Sequence, residues 1–349
     1  MNLEQLICSA AAQQSSDLHL VYGLPPTWRQ DGVLSCVEGE PPLTDEDLIA
    51  AARYLAGESY HIIDTIGELD LAKTIAGIRV RINLFRQQGH LSCALRLLRD
   101  RIPALEDLGL PSAVAEFSAL QRGIVLVTGE TGSGKSTTLA AILRRINETR
   151  SDHIITLEDP IEYIHTPDQC VINQREIGAD TRSYADGLRA ALREDPDVIL
   201  IGEMRDLVTI ETALTAAETG HLVFATLHTN SAADSIDRMV DVFPEARQRQ
   251  IRMQLSMTLQ AVLTQQLLPK RTGGRVAACE LMMVSPAIRN LIREGKTPQI
   301  ANSLATSAEL GSITMDNAII KLYQNRAITQ QTAVQAAHDA DYVKRATAY

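Results

Sequence analysis

The stretch that decides the fold is GIVLVTGETGSGKSTT, residues 123–138. Its second half fits G-x-x-x-x-G-K-[ST], in which backbone N–H groups cradle phosphates, Lys135 reaches the β- and γ-phosphates and the Ser136 hydroxyl binds Mg²⁺. An apolar run precedes the glycines and a helix-forming run follows them, so a helix N-terminus adds its partial positive charge. The stretch therefore predicts a nucleotide-binding loop between a strand and a helix. Its candidate binding residues are Gly129, Glu130, Thr131, Gly132, Ser133, Gly134, Lys135, Ser136 and Thr137.

Beyond this loop, short apolar runs alternate with helical stretches, which predicts a parallel sheet flanked by helices. In such a sheet, ligands bind beyond the carboxyl ends of the strands. The run HIITLED brings Glu158, Asp159 and Glu162 to that edge, DVILIGE brings Glu203, and HLVFATLH brings His228. Three strands therefore deliver polar groups to one edge, which packing alone does not explain.

Two of these carboxylates suit the two roles that hydrolysis requires. One group must orient or deprotonate the attacking water, and a second anion must hold Mg²⁺, usually through its water shell. Glu162, one short turn beyond its strand, suits the water role, and Glu203 suits the magnesium role. A solvated loop carboxylate remains the alternative for Glu162.

Two histidines, His221 and His228, lie at the ends of the run 222–227. If this run is one strand, the histidines are roughly 23 Å apart. Their odd offset also points them to opposite faces, so they cannot share one metal ion. His228, at the ligand edge, is predicted to read the γ-phosphate or polarise a neighbouring group, and His221 to fix a turn or face another subunit. A structural role stays open for both.

Length and composition narrow the class of protein. The 349 residues suggest two domains, and the net charge of −10 gives no chain-wide basic footprint for nucleic acid, although a local basic channel stays possible. No apolar run is long enough to span a bilayer, and the first residues lack the basic region of a secretory signal. We expect free thiols in a reducing compartment, because no C-x-x-C pair occurs among Cys8, Cys36, Cys93, Cys170 and Cys279.

The predicted organisation is a mixed α/β domain over residues 1–100, a linker over 101–120 that leads into a helix, a nucleotide-binding core over 121–270 and a mostly helical region over 271–349. In the first domain, DLHLV and GIRVRINLF predict strands, and TDEDLIAAARYLAG predicts a helix with Thr44 as N-cap and Gly57 as its end. From Pro244 onward we expect helices, interrupted by one strand at GRVAACELMMV.

Arginines on the predicted strand GIRVRINLF are candidate phosphate ligands. Arg79 and Arg81 alternate and so share one face. With Arg96 they could reach a phosphate from outside the nucleotide-binding core, as arginine fingers do. A solvated basic edge is the alternative.

The stretch PAIRNLIREG, residues 286–295, predicts a short capped helix. Ser285 is the expected N-cap, Pro286 the first helical residue and Gly295 the residue that ends it. Ile288, Leu291 and Ile292 share an inner face, and Arg289 and Arg293 share an outer one. From these residues alone, a plain surface helix is the favoured interpretation.

Five segments in order resemble the secretion-superfamily ATPases of type IV pili and type II secretion. SSDLHL resembles their N-terminal opening, GETGSGKSTT their Walker A, TLEDPIEY their Asp box, DPDVILIGEMRD their Walker B and TGHLVFATLHTN their His box. A further segment resembles the AIRNLIRE signature of the retraction (twitching-motility) branch, the PilT family. It comprises Ala287, Ile288, Arg289, Asn290, Leu291, Ile292, Arg293 and Glu294. The four-cysteine zinc motif and the long N-terminal extension usual in assembly ATPases are not found.

The resemblance implies a PAS-like N-terminal domain and a RecA-like P-loop ATPase domain with a helical C-terminal part, assembled as a homo-hexamer. It implies ATP and Mg²⁺ as ligands, Glu162 as catalytic base, Glu203 as Walker B acid, and His221 and His228 in a nucleotide-responsive box. It also implies that Arg79, Arg81 and Arg96 meet the nucleotide of the ring. RQQGHLSCALRLL departs from the family's usual sequence and supports Arg96 less directly.

The function that follows is retraction of a type IV pilus from the cytoplasmic face of the inner membrane, by an ATPase without its own membrane span. Its expected partners are an inner-membrane platform protein and an accessory retraction ATPase, and no nucleic acid is expected. Three alternatives stay open: a ring helicase or DNA translocase, a nucleotide-binding scaffold without turnover, and an accessory retraction ATPase of the same family.

Overall fold

The structure, a computed structural model, describes residues 2–30, 32–98, 101–306 and 308–348. The chain forms two compact units, each with its own sheet and core. Unit 1 comprises Met1–Arg101 with Pro160–Ile164, and unit 2 comprises Ile102–Asp159 with His165–Tyr349. The predicted domain boundary at residue 100 lies outside the described residues.

Unit 1 is a six-stranded antiparallel sheet with three helices, which confirms the predicted mixed α/β N-terminal domain. Its elements are α1 (Leu3–Ala12), β1 (Asp17–Val21), β2 (Thr27–Gln30), β3 (Val33–Cys36), α2 (Asp45–Ala56), α3 (Tyr60–Ile66), β4 (Glu68–Ile75), β5 (Ile78–Gln87) and β6 (His90–Leu97). The strand order is β3-β2-β1-β6-β5-β4. Helix α2 has Thr44 as its N-cap and ends at Gly57, as predicted. Thr44 also forms a reciprocal capping box with Asp47.

Unit 2 is built on a seven-stranded sheet flanked by helices, which confirms the predicted RecA-like architecture with a helical C-terminal part. Its elements are β7 (Gly123–Thr128), α4 (Lys135–Thr149), β8 (His153–Glu158), β9 (Val171–Glu176), α5 (Tyr184–Ala191), β10 (Val198–Ile201), α6 (Leu207–Glu218), β11 (Leu222–Leu227), α7 (Ala232–Asp241), α8 (Glu245–Thr258), β12 (Leu259–Pro269), β13 (Arg275–Met283), α9 (Pro286–Glu294), α10 (Ile300–Thr306), α11 (Met315–Gln324), α12 (Gln330–Ala336) and α13 (Ala340–Ala346).

The strand order of unit 2 is β13-β12-β7-β11-β10-β8-β9, parallel throughout except for β13. Strand β7 lies inside the sheet, between β12 and β11, and all its residues are buried, so the phosphate loop that follows it emerges from an interior position of the carboxyl edge. The crossover between the central strands places the nucleotide-binding residues where the strand order reverses, as in other open α/β sheets.

The expectation of helices from Pro244 onward, broken by one strand, is wrong for β12. This strand pairs in parallel with β7 and antiparallel with β13. Its sequence, LQAVLTQQLLP, mixes three glutamines with apolar residues and shows no clear alternation. Tertiary pairing on both sides buries it and so decides its conformation.

Residues 102–120, which were expected to form a linker, pack within unit 2. They form two 3₁₀ segments, Leu105–Leu108 and Ser112–Ala119. Val114 and Phe117 are buried in the core beneath β7 and α4. The Arg150 guanidinium donates to the carbonyls of Ser118 and Leu120 at 3.0 and 2.6 Å. Apolar burial and these hydrogen bonds explain why the segment belongs to the ATPase unit.

Throughout the described part of the chain, every helix is too short or too polar to cross a bilayer.

Candidate active site

The phosphate loop requires glycine for steric reasons that the structure makes explicit. Gly129 has φ of 135°, and a Cβ atom there would lie 2.3 Å from the Gln265 carbonyl oxygen of β12. Gly134, with φ of 96°, begins α4 in the left-handed region. Because Gly134 has no side chain, no side-chain cap occupies the first-turn N–H groups of α4, and these can face phosphate oxygens.

Lys135 is held by the loop itself. Its Nζ donates to the carbonyls of Gly129 at 2.7 Å and Glu130 at 2.9 Å, and the residue is only 9% exposed. The ammonium group is therefore positioned inside the loop, where the pattern predicted it. Ser136, the next residue, is exposed at the first turn of α4, with its hydroxyl available to solvent and ligands.

A polar pocket of about 360 Å³ opens beside the loop. It is lined by Glu130, Thr131, Gly132, Ser133, Asn230, Thr264, Gln265, Gln266, Leu267, Arg275 and His338. Among the described residues, Ser133 Oγ and Gln265 Oε1 are buried without a hydrogen-bond partner. Such atoms cost free energy unless a ligand or water satisfies them, and their place among the lining residues is compatible with a bound polar ligand.

Glu203 and His228 meet at the carboxyl edge, as predicted. The His228 Nε2 lies 3.3 Å from Glu203 Oε1, and the Arg205 guanidinium bonds the same carboxylate. Burial alone would raise the pKa of Glu203, but the Arg205 hydrogen bond and the charge of His228 outweigh it, and the net pKa is lowered. Glu203 is thus an ionised carboxylate that lies beside Arg205 of its own segment and His228 at the end of β11.

Sequence reasoning missed two groups around Glu203. Arg205 follows it by two residues, in GEMRD, and that spacing is the signal that could have revealed it. Tyr184 is the first residue of α5, and its hydroxyl oxygen would lie only 2.9 Å from a Cβ atom at Gly202. Burial raises the pKa of Tyr184, and the charges of Asp159, Glu203 and Glu158 raise it further, so the phenol stays protonated.

Glu162 is half-buried in the segment Pro160–Ile164, which packs in unit 1, whereas Glu203 and His228 lie in unit 2. Within unit 1, Arg79 Nε donates to the Ile161 carbonyl at 3.2 Å. One of the predicted arginines is therefore adjacent in space to the residue that precedes Glu162.

The other two arginines are paired with acids of their own sheet. The Arg81 guanidinium bonds Asp70 at 2.7 Å, and Arg96 Nε bonds Asp17 at 2.9 Å. Arg81 and Arg96 are register partners across β5 and β6, so the two side chains belong to one patch of the sheet.

The two histidines lie at opposite ends of β11 and make different contacts. His221 Nδ1 lies 2.9 Å from the Ala216 carbonyl and 3.1 Å from Thr219 Oγ1, so this ring fixes the end of α6. His228 lies at the opposite end of β11, beside Glu203. In the part of the chain that the structure describes, no group of three or more potential ligands could hold a metal ion.

Helix α9 has the predicted caps, but one of its arginines is placed differently. Ser285 Oγ accepts from the Ile288 N–H, and Gly295 ends the helix in the left-handed region. The prediction of an outer face shared by Arg289 and Arg293 is wrong for Arg289. Its guanidinium donates to the Ser256 and Met257 carbonyls at the end of α8, because those carbonyls have no partner within their own helix. Arg293 is exposed, as expected.

The remaining residues of the signature divide by burial. Ile288 and Ile292 are fully buried and Leu291 is half-buried, as the helical spacing predicted. Ala287, Asn290 and Glu294 are exposed. Asn290 Nδ2 donates to Glu294 Oε1 one turn later, at 2.9 Å.

The donor set suits a magnesium ion held mainly by phosphate and water. Mg²⁺ keeps several waters and takes one or two protein oxygens in nucleotide sites. The exposed Ser136 hydroxyl and the ionised Glu203 carboxylate are oxygen donors of that kind. The protein therefore offers one hydroxyl and one carboxylate, and no cage of its own.

Comparison with known proteins agrees with this arrangement. The family model "Type II/IV secretion system protein" matches residues 67–338. The type IV pilus retraction ATPase PilT of Pseudomonas aeruginosa is 45% identical over 97% of this chain and 98% of its own. The uncharacterised protein YggR of Escherichia coli K12 is 46% identical over 93% of this chain and 98% of its own.

Among solved structures, the pilus retraction motor PilT with bound ADP superposes with a TM-score of 0.93 at 46% identity. The match covers 99% of both chains. The mixed α/β architecture of this chain thus agrees with a relative matched over nearly the whole chain. This chain is a P-loop ATPase that belongs to the type II/IV secretion system protein family and, within it, to the pilus retraction ATPases of the PilT type.

Proposed function

We propose that this protein hydrolyses ATP at the phosphate loop of unit 2 and uses the energy, as a homo-hexamer, to retract a type IV pilus. The observation that carries the proposal is the loop itself, with Lys135 held inside it and Glu203 ionised beside His228 at the same sheet edge. The likeness to PilT over nearly the full chain supports the motor role.

In this proposal the loop binds the triphosphate and its charge. The N–H groups at the start of α4 and the Lys135 ammonium take the β- and γ-phosphates. Mg²⁺ would be held by Ser136 and, through water, by Glu203, and when bound it neutralises charge on the phosphates. His228, next to Glu203, is positioned to respond to the γ-phosphate.

Glu162 is proposed as the base that orients the attacking water. Its predicted place after β8 and its Asp-box context support this role. Arg79 bonds the carbonyl of the preceding residue, which joins the proposed base and one proposed phosphate ligand within unit 1. Arg79, Arg81 and Arg96 supply positive charge to the nucleotide of the ring, as arginine fingers do.

The proposed setting is the cytoplasmic face of the inner membrane, without a membrane span of its own. Movement of the ring would be passed to an inner-membrane platform protein, so that pilin subunits return to the membrane. An accessory retraction ATPase is an expected partner. The PAS-like character of unit 1 remains part of this proposal.

The experiment that tests the enzymatic part is Glu162→Gln in the full chain. The amide keeps the size of the side chain but cannot accept a proton from water, so ATP should bind while turnover falls roughly 100-fold or more. Equilibrium binding of ATP and steady-state turnover are measured on the same preparation.

Glu148→Gln is the matched control, because Glu148 is an exposed helix carboxylate that pairs with Arg144 on α4. It should leave both quantities unchanged. Ordinary turnover in Glu162→Gln would remove Glu162 from its role, and absent turnover in the wild-type hexamer would favour the scaffold alternative.

A further inference from the structure

A buried carboxylate on β13, Glu280, joins the starts of two helices of unit 2. The residue is only 8% exposed. Its Oε1 accepts from the Ala232 N–H at 2.8 Å, and its Oε2 accepts from the Met315 N–H at 3.3 Å. Ala232 is the first residue of α7 and Met315 is the first residue of α11.

Glu280 accepts hydrogen bonds from backbone N–H groups that have no acceptor within their own helix. The first N–H groups of a helix have no acceptor within it, and the helix N-terminus carries partial positive charge. The side chains of the N-caps Ser231 and Thr314 accept from the backbone N–H groups of Asp234 and Asn317, respectively. Glu280 accepts the first N–H of both helices, so one side chain fixes two helix starts to β13.

The first of these starts carries one wall of the polar pocket beside the phosphate loop. Asn230, which lines that pocket, lies two residues before Ala232 and two after His228. In the same turn, Thr229 Oγ1 lies 2.7 Å from Ser235 Oγ. The position of Asn230 therefore depends on where α7 begins.

The second start carries another wall of the pocket. The carboxylate of Asp316, the second residue of α11, accepts from the backbone N–H groups of His338 at 2.8 Å and Asp339 at 3.0 Å. His338 lines the pocket. The helix start that Glu280 holds thus holds, in turn, the segment that bears His338.

The strand below the pocket is tied to Glu280 as well. Glu280 is the register partner of Thr264 on β12, and Thr264 also lines the pocket. The Thr264 hydroxyl lies 2.9 Å from that of Thr128, the last residue before the phosphate loop. Glu280 is therefore paired with a strand residue that lines the pocket, and it bonds the two helix starts next to the segments that bear Asn230 and His338.

We propose that Glu280 is a positioning residue that makes nucleotide affinity depend on the docking of the C-terminal helices. The inference rests on the proposed function, in that the pocket beside the loop takes part of the nucleotide. If one helix start is released, the chain spends less time with both pocket walls in place. The apparent affinity then falls in proportion to the competent fraction, while a bound nucleotide reacts as before.

Glu280→Gln tests this directly, because the amide has the same shape but only one carbonyl oxygen. One of the two buried N–H groups loses its acceptor, which corresponds to about tenfold in an equilibrium constant. We expect the KM for ATP to rise about tenfold and kcat to stay within about twofold. Asp47→Asn is the control, since Asp47 also bonds a helix start but lies in unit 1; it should leave KM unchanged.

Asp316→Asn is the second variant, which acts on the same path without touching the buried site. It should raise KM by several-fold, and the double variant should raise it less than the product of the two single effects, because both act through α11. A purely structural role would lower the melting temperature of Glu280→Gln and leave KM unchanged in the folded protein, which would overturn the inference.

A Glu280→Gln chain that does not fold leaves the decision to Asp316→Asn, whose unchanged KM would equally overturn it. Binding of ATP to the wild type is measured beside Lys135→Ala. If the wild type and Lys135→Ala bound ATP with equal affinity, the proposed nucleotide site itself would be refuted, whatever the Glu280 variants do.

Discussion

The phosphate loop of unit 2 and the arginine patch of unit 1 are both expected to bind phosphate, but their cationic side chains are held by different kinds of partner. The loop is prepared by contacts among its own residues, since Lys135 bonds the carbonyls of Gly129 and Glu130. The patch, defined by Arg79, Arg81 and Arg96, is held by other groups of its own unit. The spacing of glycines and lysine identifies the loop from sequence, whereas the acids that pair with Arg81 and Arg96 lie on other strands and are not apparent from the local sequence.

The energies explain how such arginines remain usable. The side chains of Arg81 and Asp70 are 39% and 44% exposed, and that of Arg96 is 63% exposed. The Arg81–Asp70 pair, exposed on both sides, contributes about 0–1 kcal/mol, because water screens it. Under the proposed role, exchange of the Asp70 carboxylate for a phosphate would therefore cost Arg81 little. Asp17, the partner of Arg96, is only 15% exposed.

The largest effect is expected in the loop. Lys135→Ala removes the only side-chain cation that the loop supplies, so turnover of ATP should fall about 1,000-fold or more. Lys321→Ala on α11, an exposed lysine outside the site, is the control. If turnover in Lys135→Ala stayed within tenfold of the wild type, the loop would not be the phosphate site.

A smaller effect is expected in the arginine patch. Arg79→Ala and Arg81→Ala should each lower kcat about 100-fold, as loss of one donor to a developing charge does, and Arg96→Ala should lower it less. Arg86→Ala is the matched control, because Arg86 lies on the same strand and pairs with Asp64. Equal, small changes in all four variants would make the patch a solvated edge, which was the alternative from sequence.

The features of the fold and of the site that could be predicted from sequence are those whose conformation depends on residues close by in the chain. The loop, the capping box at Thr44 and the caps of α9 each depend on neighbours three or four positions away. Strand β12 was missed because its conformation depends on β7 and β13, which lie far from it in the chain.

The direction of Arg289 was missed for the same kind of reason, because the end of α8 decides it. The common edge of Glu203 and His228 followed from the parallel-strand pattern, while the approach of Arg205 to the same carboxylate did not. The two helix starts bonded by Glu280 lie 48 and 35 residues away and left no local signal.

The smallest expected effect is a pH dependence at Glu203. The pKa of this carboxyl is lowered in the folded protein: burial opposes ionisation, and Arg205 and His228 outweigh it. A lowered pKa stabilises the fold above the unfolded value and loses that contribution as pH falls through the folded value. The difference in unfolding free energy between wild type and Glu203→Gln should therefore shrink as pH falls from about 7 to about 4.

This difference is measured by urea unfolding at each pH. It should stay below about 1 kcal/mol, since Arg205 is largely exposed. A difference that grows as the solution becomes more acidic would mean that Glu203 is protonated in the folded protein, and the magnesium role would be lost.

The most direct test is a count of surface pili by electron microscopy in a cell that lacks this gene, with wild type or Lys135→Ala supplied in trans. Retraction driven by this loop predicts a hyperpiliated, non-twitching cell that the wild-type chain restores and Lys135→Ala does not. A bald cell would instead mean an assembly motor. Unchanged pili would contradict a principal role in retraction and leave the accessory, scaffold and nucleic-acid alternatives.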